Sequence, residues 1–181
     1  DDNFCYAWGD DLTIPKSNTN PVFKQIIDKF ENSDAEAVIA VHEISREEVN
    51  RYGIASFKEG TTDVLDRVIE KPNIEEAPTN LVSFGRYICS PKIWDYLGAE
   101  YVGKGNEIWF SEGIDRLAQD FKVLVHKIEG AWYTTGDPLN FLKATMEFAI
   151  RRDDLKGPLL AYLDDFVKLE KKNLKIPLKG A

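Results

Sequence analysis

Cysteine and histidine are scarce in this sequence: Cys5, Cys89, His42 and His126 are all it has. The cysteines stand far apart in no paired spacing, which excludes a disulfide framework, and the four residues together make a poor zinc set. Two reduced cysteines packed in or near strands are expected. Long apolar runs are missing too. None reaches the ~20 residues that cross a bilayer, and nothing resembles a secretory leader. The only methionine is Met146 and the chain opens Asp1-Asp2-Asn3, so a native start further upstream is expected. Positive charge is in deficit, with 23 lysines and arginines against 31 aspartates and glutamates for a net charge of -8. The basic residues are spread along the chain, which excludes an extended duplex-binding surface. A small anionic ligand is not excluded, because a pocket can be locally positive on an acidic protein. Internal repeats and low-complexity linkers are absent as well.

What is there reads as an ordinary globular chain: 181 residues, 43% hydrophobic and 30% charged. Folding at this length buries roughly 70% of the surface the unfolded chain exposes, so residues 1–181 are expected to form a single domain around one core. Short apolar runs at 4–8 and 37–41 predict buried strands, the first ending in a turn at Gly9-Asp10-Asp11. Residues 21–30 carry Val22, Phe23, Ile26, Ile27 and Phe30 at helical spacing, with Asn20 as N-cap and Pro21 at the first helical position. Segments 52–57 and 64–69 predict paired strands around a Glu59-Gly60 turn, 81–89 a longer strand, and 91–97 a short helix opened by Ser90. Helices are predicted at 107–119, 139–150 and 159–169, with a strand at 122–128. This rhythm predicts α/β layers, helices covering a largely buried sheet. Residues 52–89 hold strands without helices, so part of that sheet is expected to be antiparallel or a subsidiary ribbon.

Three features bear on chemistry. Asp10-Asp11 follows an apolar strand, and ligands of open α/β sheets collect beyond the carboxyl ends of strands. A carboxylate there can hold magnesium, which takes one or two carboxylates plus phosphate oxygens; turn or capping aspartates are the plainer alternative. In Val68-Ile69-Glu70-Lys71-Pro72, Pro72 predicts an extended Lys71, with Glu70 and Lys71 projecting to opposite sides of a strand end. A glutamate can accept from sugar hydroxyls and a lysine can meet a phosphate; an exposed, nearly neutral ion pair is the alternative. In Leu81-Val82-Ser83-Phe84-Gly85-Arg86-Tyr87, the glycine marks either close ligand approach or relief of crowding by a Trp or Tyr. Trp8, Trp94, Trp109 and Trp132 read as packing residues, and neither histidine has a partner for acid–base work. Lys168, Lys171, Lys172 and Lys175 read as solvating a helix end and offsetting its dipole.

Taken in order, the Gly9-Asp10-Asp11-Leu12 turn, Arg51-Tyr52-Gly53-Ile54, Val68-Ile69-Glu70-Lys71-Pro72, Glu76-Ala77-Pro78-Thr79-Asn80-Leu81 and Gly85-Arg86-Tyr87 form a compound signature. It resembles the prokaryotic UTP–glucose-1-phosphate uridylyltransferases (UDP-glucose pyrophosphorylases). Gly105-Asn106-Glu107-Ile108 and the segment from Gly136-Asp137 to Arg151-Arg152 continue the match. The resemblance implies a cytoplasmic nucleotidyltransferase with a Rossmann-like (GT-A-like) mixed sheet, helices on both faces, and its N-terminal strands missing. It implies transfer of a uridylyl group from UTP to glucose 1-phosphate, giving UDP-glucose and pyrophosphate. Asp10 would hold Mg2+, Glu70 would accept from glucose hydroxyls, and Lys71 would contact the phosphate as the catalytic cation. The backbones of Gly53 and Ser83 would bracket the sugar, which would explain a glycine at 53.

Two departures from the family pattern stand out. No glycine-rich loop follows a strand; Gly103-Lys104-Gly105 lies mid-chain outside a strand-to-helix context. The sequence corresponds to roughly the last two-thirds of a typical member, so the isolated chain is expected to be inactive. Thr134 stands where relatives usually carry an aspartate, which in thymidylyltransferases is a second metal ligand, and Asp137 reads instead as the cap of a helix opened by Pro138. A glucose-1-phosphate thymidylyltransferase, a non-catalytic sugar-nucleotide-binding module and a metal-dependent glycosyltransferase are the alternatives. The apolar stripes of the last helices could pack internally or join subunits in a homo-oligomer.

Overall fold

The computed structural model describes residues 2–101 and 107–174. The Gly103-Lys104-Gly105 stretch, Asn106 and the tail from Lys175 lie outside the described residues. The chain divides into two compact units, Asp1–Trp132 and Tyr133–Ala181.

The first unit is built on a mixed sheet. Its strands are β1 (Phe4–Ala7), β3 (Ala37–Glu43), β4 (Gly53–Phe57), β5 (Leu65–Glu70), β6 (Leu81–Cys89) and β7 (Val123–Lys127). A further strand, β2 (Asp11–Pro15), pairs with β8 (Gly130–Thr134) in a separate two-stranded sheet, and the first unit ends within β8. The main sheet runs β5-β4-β6-β3-β7, with β1 also on β6. Only β3 and β7 pair in parallel; β1, β3 and β4 each meet β6 antiparallel, as β5 meets β4. The helix-free segment therefore forms the antiparallel part of the sheet, as its composition predicts.

Alternation along the strands places a helix on each face. Helix α1 (Val22–Glu31) buries Val22, Ile26 and Phe30, one residue per turn, against Val38, Ala40, Phe84 and Ile88. Helix α2 (Phe110–Asp120) packs Ile114, Leu117 and Ala118 on the opposite face, against Ile39, Val41, Tyr87 and Val125. Both cysteines lie in paired strands as free thiols. Cys5 faces Ile88 and Cys89 faces Phe4 in the register, so the two thiols project from opposite faces of the sheet.

Several boundaries differ from expectation. Pro21 itself is the N-cap of α1, and Asn20 instead reaches Asp28 Oδ2 at 3.3 Å. The helix predicted at 91–97 is a 3-10 turn, Pro91–Tyr96, still capped by Ser90. In the second unit α3 (Pro138–Ile150) begins as expected, with Asp137 accepting from Asn140 N at 2.9 Å. Helix α4 (Asp153–Leu174) extends the helix predicted at 159–169 at both ends and contains Gly157-Pro158. Packing against α3 outweighs the hydrogen bond that Pro158 removes.

Candidate functional site

The expected site residues meet where the sheet is interrupted. Strand β6 is shared along one edge by two collinear strands: β4 meets it at Ile54↔Val82, and β1 from Ala7↔Arg86 to Phe4↔Cys89. Both run antiparallel to β6, so the carboxyl end of β1 points at the amino end of β4 across the stretch Ser83–Gly85. On the other edge the register of β3 shifts here, with Ile39 opposite Tyr87 but Val41 opposite Ser83. Two steps of β3 thus span four of β6, an irregularity of the kind that bends strands near binding sites.

Where β1 leaves the sheet, Trp8 N still donates to Gly85 O at 3.0 Å. The Gly85 N–H, with no strand opposite, needs an acceptor. Asp11 supplies it. Its buried carboxylate accepts from Gly85 N at 2.9 Å and from Trp132 Nε1 at 2.7 Å. Burial pushes this carboxyl up, an effect only partly offset by those two donors. Arg86 ties the same turn from outside, donating to Trp8 O at 2.9 Å and to the Asp11 carbonyl. Trp132 in turn lies on Phe84 at 5.6 Å and edge-on to Tyr52 at 5.4 Å, so it braces both lips of the gap. From the sequence, the metal role falls to Asp10, Asp11 has only a turn or capping role, and Trp132 reads simply as packing; the geometry gives Asp11 and Trp132 a fixed hydrogen-bonding task.

With Asp11 so engaged, Asp10 is the turn carboxylate that faces solvent. Across the gap, Gly53 opens β4 and stands opposite Glu70 at the end of β5. A Cβ on Gly53 would meet Val68 Cγ1 at 2.8 Å and Glu70 Oε2 at 3.2 Å, so a larger residue there would have to push its own neighbours aside. Gly85 behaves likewise: a Cβ would fall 2.1 Å from Trp8 Cγ, the crowding by Trp anticipated as the plainer alternative. Ser83 Oγ is buried without a hydrogen-bond partner; the Tyr87 hydroxyl interacts with it, short of a bond of standard geometry. Asp10, Gly53, Glu70 and Ser83 are thus gathered along one stretch of β6.

Lys71 corrects an expectation. Rather than extended, it has φ 47, the left-handed region, and its N–H donates to Tyr52 O at 3.0 Å. The reversed backbone swings its side chain back to Glu70 instead of away from it, with Nζ 3.4 Å from Glu70 Oε1. A lysine before proline in this conformation is strained by about 1–2 kcal/mol, and such strain concentrates at functional sites. Both side chains are 61% exposed at the mouth of the gap.

A metal set of three or more His, Cys, Asp or Glu side chains is not present among the described residues. One outward carboxylate, Asp10, fits a magnesium ion that draws its remaining oxygens from phosphate and water. His126 contacts Gln25 Oε1 at 3.2 Å, and burial holds both histidines below their ordinary value. None of the described helices is long and apolar enough to cross a membrane.

Comparison with known proteins agrees with this architecture. The sequence profile of the nucleotidyl transferase family matches residues 3–150. A UTP--glucose-1-phosphate uridylyltransferase from Staphylococcus epidermidis (strain ATCC 35984) is 35% identical over 162 residues, 88% of this chain and 55% of that protein. A UDP-glucose pyrophosphorylase solved in complex with UDP-glucose is 28% identical with a TM-score of 0.71, covering 83% of this chain and 57% of that one. A UTP-bound UGPase from Acinetobacter baumannii is 26% identical with a TM-score of 0.74, covering 98% and 57%. The chain spans a little over half the length of the proteins it matches. The chain belongs to the nucleotidyl transferase family.

Proposed function

We propose that this chain is the sugar-phosphate side of a UTP–glucose-1-phosphate uridylyltransferase, a single nucleotidyltransferase-type domain that binds UDP-glucose with Mg2+ but does not turn over alone. The observation that carries this reading is the gap between the collinear strands β1 and β4, which gathers Asp10, Gly53, Glu70, Lys71 and Ser83. Similarity to a protein complexed with UDP-glucose and to a UTP-bound one supports the ligand class.

In this reading the glucose ring lies in the gap against the backbones of Gly53 and Ser83. Glu70 accepts from sugar hydroxyls. Lys71, turned back toward Glu70 by its left-handed backbone, meets the sugar phosphate and holds that oxygen in line for attack on the α-phosphorus of UTP. Nucleotidyl transfer asks for alignment and charge neutralisation more than covalent help. Asp10 would hold Mg2+, which when bound neutralises phosphate charge. Asp11 keeps Asp10 outward by anchoring the turn. Two free thiols fit a reducing, cytoplasmic setting.

Calorimetric titration of UDP-glucose into the 181-residue chain with Mg2+ tests this. Binding is expected, weakened at least ~10-fold by Asp10→Asn and by Lys71→Ala, as expected for loss of a charged contact. Supplied with UTP and glucose 1-phosphate, the chain should release no pyrophosphate. Absence of binding, or binding indifferent to both substitutions, would sink the reading; a preference for dTDP-glucose would move the chain to the thymidylyltransferases.

The helices of the second unit leave Leu139, Phe141, Leu142, Tyr162, Phe166 and Leu169 exposed. That apolar surface supports self-association of the chain through α3 and α4.

A further inference from the structure

Strand β5 is the last strand on its side of the sheet and, among the described strands, pairs with β4; just before it Val64 bridges Leu124 of β7. Such an edge leaves every second residue's N–H and C=O pointing outward. Helix α2 covers it with side chains. Asp115 Oδ1 accepts from Val68 N at 2.8 Å, and Gln119 Nε2 donates to Asp66 O at 2.9 Å. Residues two apart on a strand share an edge and residues four apart on a helix share a face. The two contacts therefore form a clasp, one helical turn matched to one strand repeat.

What the clasp holds is the approach to the gap. Val68 lies two residues before Glu70 and three before Lys71. Its γ-methyl is the group that a Cβ on Gly53 would strike at 2.8 Å. Any outward drift of β5 at Val68 would carry the Glu70–Lys71 pair away from Gly53. Asp115 is half-buried, in a groove of about 310 Å³ lined also by Asp66, Arg67, Arg116 and Gln119. Burial pushes its carboxyl up to about 6, with the Val68 N–H and then Arg67 opposing the rise and Glu112 and Asp66 adding to it. An ionised carboxylate is thus held at a strand edge where its charge is not favoured.

We propose that Asp115, seconded by Gln119, is a positioning residue whose hydrogen bond to the β5 edge sets the place of Glu70 and Lys71. The inference rests on the reading of that pair as the sugar-phosphate contacts. Amide hydrogen exchange followed by NMR, combined with UDP-glucose titration in Mg2+, tests both parts on the full chain. Asp115→Ala should speed exchange at the Val68 and Lys71 amides about 10-fold, the loss of one charge-assisted hydrogen bond, and weaken UDP-glucose by a similar factor. Exchange at Val38 and Ile88, in β3 and β6, should not change. Asp115→Asn keeps an acceptor oxygen and should bring both readouts back to within about twofold of the parent. Gln119→Ala, at an exposed position, should speed exchange at Val68 alone or with Lys71, and it decides the matter if Asp115→Ala does not fold. Unchanged β5 amides in both alanine variants would overturn the proposal. So would faster exchange spread evenly over the whole sheet. Faster local exchange in the alanine variants, together with a parent chain that binds no UDP-glucose, would keep the clasp and discard the sugar-phosphate reading.

Discussion

Adjacent aspartates at positions 10 and 11 do different work because only one reaches into the fold. Asp11 satisfies two donors, Gly85 N and Trp132 Nε1. Asp11→Ala leaves both without a partner and should lower stability by about 2–4 kcal/mol in urea unfolding, with a change in tryptophan emission. Asp10→Ala, at an exposed turn position, should move stability by less than about 0.5 kcal/mol while removing Mg2+-dependent binding. Lys71 offers a converse case. Glycine accepts its left-handed backbone without strain, so Lys71→Gly should raise the unfolding free energy by about 1 kcal/mol and lose UDP-glucose affinity. Asp115 gives stability a pH dependence. Its folded value of about 6 lies above the ordinary 3.8, so the folded state binds this proton more tightly than the unfolded chain does. The stabilisation is fully present below about pH 3.8, is lost as the pH rises through about 6, and stays lost above that. Asp115→Asn should abolish that decline: at pH 8 the variant should melt higher than the parent, and at pH 4 the two should converge.

Elements whose pattern is local were legible in the sequence; those defined by a distant partner were not. Val22, Ile26 and Phe30 announce α1 by spacing alone, and Pro138 after Asp137 announces the start of α3. Strands β2 and β8 were missed. Each has five residues, and their partners lie more than a hundred residues away, so no local alternation marks them. The helix predicted at 159–169 fell short of α4, because packing of α3 on α4 is not written in the local signal. At the site, a resemblance carried by ordered motifs brought Asp10, Gly53, Glu70 and Ser83 into one reading, and the register of β6 is what sets them side by side. Nothing in the sequence signals the left-handed Lys71; the proline after it argued for extended backbone. Gly85 shows how elements lock. Its α-carbon lies under the Trp8 ring base, fixed at the end of β1 rather than at the tip of a mobile side chain. Gly85→Ala should destabilise by roughly 3 kcal/mol. Adding Trp8→Ala should recover at least about 1 kcal/mol in a double-mutant cycle, because the clash is between those two residues.

On the scale of the whole molecule, a net charge of -8 and the phosphate contact proposed for Lys71 are compatible because binding depends on local field. The second unit carries much of the exposed apolar surface, including Phe141, Leu142, Tyr162 and Phe166. Sedimentation equilibrium should find the parent chain self-associated at micromolar concentration, and the pair Phe141→Glu with Phe166→Glu should return it to monomer. A monomeric parent would refute that expectation.

The shared edge of β6 also works as a ruler. Pairing with β4 ends at Val82 and pairing with β1 begins at Arg86, so the opening measures at most four strand steps, about 13 Å. Its length can change only by whole residues, since each pair gained or lost on either flank moves a lip by about 3.3 Å. Extending the pairing of β4 with β6 backwards by one residue would bring Gly53 into the ladder beside Ser83 and shrink the space by a quarter. If the gap holds the sugar as proposed, guest size is counted out by the backbone register, ahead of any choice of side chain.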